Sequence, residues 1–151
     1  MDTDRAIEAR VGCTIAELFE QEGEARFRAF ERDTLSGLLS EPAADSTERP
    51  AVIATGGGIV LAAENRALLR HAAITVYLQT SPAALVARVR HDTRRPLLQG
   101  EDVVTRLQQL HAEREPLYRE VASLVVEAEG STVPRLAARI AAELGLVPGP
   151  R

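Results

Sequence analysis

Apolar positions along the chain recur with two periods, and the switching between them sets out alternating helices and strands. Ala6, Ile7 and Val11 keep helical spacing and stop at Gly12, which predicts a short helix over residues 4–11 closed by a glycine. Thr14 and Glu17 form a capping-box pattern before Ile15, Leu18 and Phe19, and Phe27, Phe30, Leu35 and Leu38 continue at helical spacing as core positions. Residues 52–55 are a short apolar run feeding Gly56-Gly57-Gly58, and residues 74–78 and 124–126 are two more candidate strands. Between them, residues 61–70 are helical. Ser81 and Pro82 cap and open a helix to about residue 90, and Val103, Leu107 and Leu110 mark another that Pro116 is expected to end or kink. Ser131 is expected to cap a last helix bearing Leu136, Ile140 and Leu144. Strands alternating with helices predict an α/β fold, a parallel sheet with flanking helices, as one domain over residues 1–146. Residues 41–50 are expected to be a surface connection and residues 147–151 a frayed tail.

Composition narrows the chemistry. Among 151 residues all 18 basic side chains are Arg, so no step can use a lysine of this sequence. The net charge of −4 argues against a nucleic-acid partner or an anionic membrane surface. No apolar run approaches the ~20 residues that span a bilayer, and the polar, acidic start is unlike a signal peptide, so the expected location is cytoplasmic. Cys13 is the single cysteine and is expected as a small buried hydrophobe beside a turn. His71, His91 and His111 lack metal-ligand spacing and are expected to be solvated or capping.

Four features carry candidate chemistry. Asp2-Thr3-Asp4 at a helix start is first an ordinary cap; two carboxylates one residue apart could also hold magnesium or take a hydroxyl proton. Gly23-Glu24 precedes Phe27-Arg28 and Glu31, where Glu31 stands three residues from Arg28 on one helix face. That spacing suits either a guanidinium oriented to grip a carboxylate or a plain surface ion pair. Three glycines after an apolar strand permit close approach to the backbone at the carboxyl end of a sheet. Finally, Arg88, Arg94-Arg95-Pro96-Leu97-Leu98 and Arg114 before Pro116-Leu117-Tyr118 form an arginine set, with Arg95 in a loop suited to a lid over residues 91–100.

In this order the motifs resemble the shikimate kinase family over nearly the whole chain. The resemblance implies a nucleoside-monophosphate-kinase-like P-loop fold and transfer of the ATP γ-phosphoryl group to the 3-hydroxyl of shikimate, with Mg2+, in the route to chorismate. It implies that Asp4 binds the acceptor hydroxyls and helps take the proton, with Asp2 near magnesium. Arg28 and Arg114 would clamp the shikimate carboxylate, Glu31 would orient Arg28, and Gly57 and Gly58 would offer backbone donors. Arg95 would face the transferring phosphate and Arg88 would lie against adenine. The partners implied are shikimate and ATP, with a monomer expected for a completed chain.

The family pattern normally opens with a strand, a glycine-rich loop ending in Gly-Lys-Ser/Thr, and a helix, none of which occurs in these residues. The expectation is a fold without its first strand, P-loop and first helix, with two strand edges unpaired and turnover lost. Two alternatives differ in class: a shikimate-binding protein without catalysis, and a related small-molecule P-loop kinase such as a gluconate kinase.

Overall fold

The computed structural model describes residues 1–40, 51–91 and 101–146. Helix α1 (Thr3–Val11) starts because the Asp2 carboxylate accepts the Arg5 amide at 3.1 Å, and it stops at Gly12, whose φ of 77° is a left-handed cap. The capping box forms as expected: Glu17 Oε2 accepts the Thr14 amide at 2.8 Å, and Thr14 Oγ1 accepts the Glu17 amide at 3.2 Å. The Thr14 amide and the Thr14 hydroxyl, which donates to Glu17 Oε2 at 2.7 Å, hold the Glu17 carboxyl below its ordinary value. Helix α2 (Ile15–Ser40) is two helical stretches joined at Gly23, whose φ of 79° and ψ of 175° are not helical.

Met1–Ile74 and Thr75–Arg151 are two compact units. In the first, Ile7, Leu18 and Phe27 are the buried centre where α1 meets α2. Val11, Cys13, Ile15 and Phe30 pack around it, Cys13 being partly buried where full burial was expected. Residues 52–55 do not make the predicted buried strand. Their pairing is one isolated parallel bridge, Asp2 to Ala54, with Ala54 donating to the Met1 carbonyl at 2.9 Å and Thr3 to the Ala54 carbonyl at 3.0 Å. A strand pattern needs partners on both edges to become a buried strand, and here Val52 is 80% exposed. A single 3-10 turn (Ile59–Leu61) then leads into α3 (Ala63–Ala72).

The second unit holds the parallel pair. Strands β1 (Val76–Gln79) and β2 (Leu124–Glu127) run in register from Val76 opposite Leu124 to Gln79 opposite Glu127. The first strand begins two residues later than its apolar run suggests, because Thr75 is occupied as an end-stop: its carbonyl accepts the Ser123 amide at 2.8 Å and its amide donates to Ser123 Oγ at 3.2 Å. Helix α4 (Pro82–His91) begins with the Ala84 amide donating to Ser81 Oγ at 3.2 Å. Helix α5 (Glu101–Val121) continues through Pro116, so of the expected end or kink the end does not occur. The turn beyond the proline is retained by packing: Tyr118 stacks on Tyr77 at 5.1 Å and Val121 is buried. Helix α6 (Val133–Glu143) is capped at Thr132, not Ser131, and that cap makes no side-chain bond. Pro134 presets the first turn instead. The expected lid over residues 91–100 lies outside the described residues apart from His91, as do the expected surface connection and the frayed tail.

Candidate functional site

The bridge between Asp2 and Ala54 fixes what lies beyond each of them. Two residues after Asp2 comes Asp4, in the first turn of α1; two residues after Ala54 comes Gly56. A Cβ built on Gly56 would stand 3.5 Å from Asp4 Oδ1 and 3.8 Å from Glu31 Oε1, so two carboxylates converge on the space above that glycine. Burial raises the Asp4 carboxyl above its ordinary value, and the negative charges of Asp2 and Glu8 raise it further.

Arg28 is the cation of this cluster. Its Nη1 donates to Glu31 Oε2 at 2.9 Å, and Nε and Nη2 donate to Glu24 Oε1 at 3.2 and 3.0 Å. The Glu31 side chain is 2% exposed, so the pair is not the plain surface contact that spacing alone allowed. Burial opposes charge on Arg28, but the bonds to Glu31 and Glu24 prevail and raise it, so the group is a permanent cation. The guanidinium carbon also lies 5.1 Å from the Phe27 ring centroid.

Gly58 completes the set for a reason the sequence did not supply. Its φ of −79° is ordinary for any residue, so the glycine is not required by the turn. A Cβ there would collide with Arg28 Nη1 and stand 2.9 Å from both Cζ and Nη2, so the missing side chain is what lets the guanidinium lie against the loop. Gly57 is exposed between its two neighbours.

Two residues that sequence reasoning passed over hold this turn in place. Asn65 is buried in α3 and donates from Nδ2 to the Ile59 carbonyl at 3.0 Å, while Arg66 Nη1 donates to the Val60 and Leu61 carbonyls at 2.9 and 3.1 Å. A weak helix former such as Asn at a core-facing helical position was the available signal.

Of the remaining sequence candidates, Arg88 and Arg114 belong to the second unit. Arg114 lies on α5 with its Nε buried and without a hydrogen-bond partner among the described residues. On the same helix His111, of intermediate exposure, has a buried Nε2 without a hydrogen-bond partner among the described residues. Arg88 falls in α4, and Arg94 and Arg95 lie outside the described residues. Asp2 spends Oδ1 on its cap, and among the described residues no three His, Cys, Asp or Glu side chains gather as a metal cage.

A carboxylate with a raised pKa accepts a proton more readily than an ordinary one, and a preset arginine binds an anion. Together they make a site that can take a proton at one end and hold an anion at the other. The shikimate kinase family model matches residues 1–145. A shikimate kinase of Halorhodospira halophila is 47% identical over 140 residues, covering 93% of this chain and 75% of that protein. One from Ralstonia nicotianae is 46% identical over 135 residues, covering 89% and 67%. The solved shikimate kinase of Acinetobacter baumannii, in complex with shikimate, is 39% identical and superimposes with a TM-score of 0.78 over 96% of this chain and 76% of that one. This chain belongs to the shikimate kinase family, phosphotransferases that use ATP as the donor.

Proposed function

We propose that the cluster of Asp4, Arg28, Glu31 and the Gly56–Gly58 turn is the acceptor site, and that shikimate lies in it with its carboxylate toward Arg28 and its 3-hydroxyl toward Asp4. The observation that carries this reading is the seating of Arg28 against Gly58, with buried Glu31 on one guanidinium edge and the Asp4 carboxylate over the adjacent Gly56. The opposite charges present the two ends of a hydroxy acid with different partners, which fixes its orientation.

Phosphoryl transfer depends on positioning and on stabilising charge as it moves. The 3-hydroxyl oxygen forms a bond to the γ-phosphorus of ATP, the bond from that phosphorus to the bridging oxygen breaks, and ADP leaves. Asp4 takes the hydroxyl proton, a role for which its raised pKa suits it. Arg28, locked by Glu31, holds the other end of the acceptor still. Gly57 and Gly58 are assigned backbone contacts to the acceptor, and Arg114 a second contact to the carboxylate, on the family motif. The family motif likewise assigns Arg95 to the transferring phosphate and Arg88 to adenine.

Magnesium fits Asp2 only in part. Mg2+ is commonly held by one or two carboxylates with waters and phosphate oxygens, so a single aspartate beside ATP can serve it, and it would offset phosphate charge there. No lysine is present among the 151 residues to hold the β- and γ-phosphates. A reaction that consumes ATP fits the cytoplasm.

Titration calorimetry with shikimate and its methyl ester tests the site. A hydrogen bond to a charged group contributes about 1.5–3 kcal/mol, so the acid should bind at least about tenfold more tightly than the ester. Equal affinity would remove Arg28 as the carboxylate partner.

A further inference from the structure

The two carboxylates on Arg28 occupy opposite edges of its guanidinium and differ in setting. Glu31, on Nη1, has a side chain 2% exposed; Glu24, on the Nε–Nη2 edge, has one 65% exposed. Moving a buried acceptor strands its partner away from water, whereas an exposed one trades an ion pair for hydration at little cost. Glu24 also engages both donors through one oxygen, Oε1, at 3.2 and 3.0 Å, short of the two-oxygen match a planar fork makes with a carboxylate lying in its plane. Its backbone follows directly on Gly23, whose φ of 79° and ψ of 175° interrupt the helical path of α2.

We propose that Glu24 is a displaceable internal anion: it holds the Nε–Nη2 edge of Arg28 when the acceptor site is empty, yields it to the substrate carboxylate, and takes it back on release. Glu31 is the fixed positioning residue and Glu24 the exchangeable one. The inference rests on the reading of Arg28 as the carboxylate partner. Its consequence is that Glu24 weakens acceptor binding, because every binding event must break the Glu24 pair and bring a second negative charge beside it. A residue that merely aligned Arg28 would strengthen binding instead.

Calorimetric titration of the full chain, of Glu24→Gln and Glu24→Ala, and of Arg28→Met separates these cases, with thermal melting to establish that each variant is folded. Both Glu24 variants should bind shikimate about two- to fivefold more tightly than the parent, the span that the loss of one exposed ion pair converts to. Their gain for the methyl ester should be smaller, since the ester carries no charge to repel. Weaker or unchanged shikimate binding in both Glu24 variants, with Arg28→Met weakened, overturns the inference and leaves the acceptor-site reading standing. Arg28→Met binding shikimate as well as the parent does overturns that reading, and the inference with it.

Discussion

Arg28 lies on the backbone at Gly58, where a Cβ would stand 2.9 Å from its guanidinium carbon. The glycine is therefore a receptacle for a side chain of α2 and owes nothing to an unusual turn, since its own φ is −79°. Gly58→Ala must push the guanidinium out of its place against the loop. Because Gly58 has helical backbone angles, the fold should tolerate alanine while the site does not: shikimate affinity is expected to fall by more than about tenfold with little change in melting temperature, as titration and melting together would reveal.

Glu31→Gln removes the buried charge that faces Arg28 Nη1. Glutamine keeps an acceptor oxygen for Nη1 but removes the opposite charge beside a partly buried guanidinium, so a destabilisation of about 1–3 kcal/mol is expected. Urea unfolding should report it as a lower midpoint at an unchanged slope.

Asp4 couples function to stability with opposite signs. Its carboxyl is raised by burial and by Asp2 and Glu8, so between the ordinary value and the raised one the folded state binds more protons than the unfolded, and stability falls as pH rises through that window. Asp4→Asn should therefore melt above the parent at neutral pH, and the difference should vanish once pH drops below the ordinary carboxylate value, where both states are protonated. Phosphoryl transfer should move the other way: it needs the ionised carboxylate, so its acidic limb should lie above the ordinary aspartate range, and Asp4→Asn should lose activity.

Much of this was legible in the residues, for reasons that are local. The Gly12 stop and the reciprocal Thr14–Glu17 cap are written in adjacent positions and formed as expected. The parallel pairing of β1 with β2 follows from strands separated by helices. The failures were non-local. Residues 52–55 have a strand's composition, but composition cannot say that their pairing reduces to one bridge with Asp2. Pro116 allowed an end or a kink, and the stacking of Tyr118 on Tyr77 favours continuation over an end. In the site, the Arg28–Glu31 spacing left an oriented guanidinium and a surface ion pair both open without revealing that Glu31 is buried, and the triple glycine pointed to close approach without saying that a side chain makes the approach. Asn65 and Arg66, which pin that turn, gave only the faint signal of an asparagine on a buried helical face.

The most direct test of the acceptor site is a crystal structure of the protein with shikimate bound. The carboxylate is expected on the Arg28 guanidinium and the 3-hydroxyl on Asp4, each at a hydrogen-bond separation of about 2.6–3.2 Å. Shikimate bound with its hydroxyl end toward Arg28, or bound away from the Gly56–Gly58 turn, would contradict that placement.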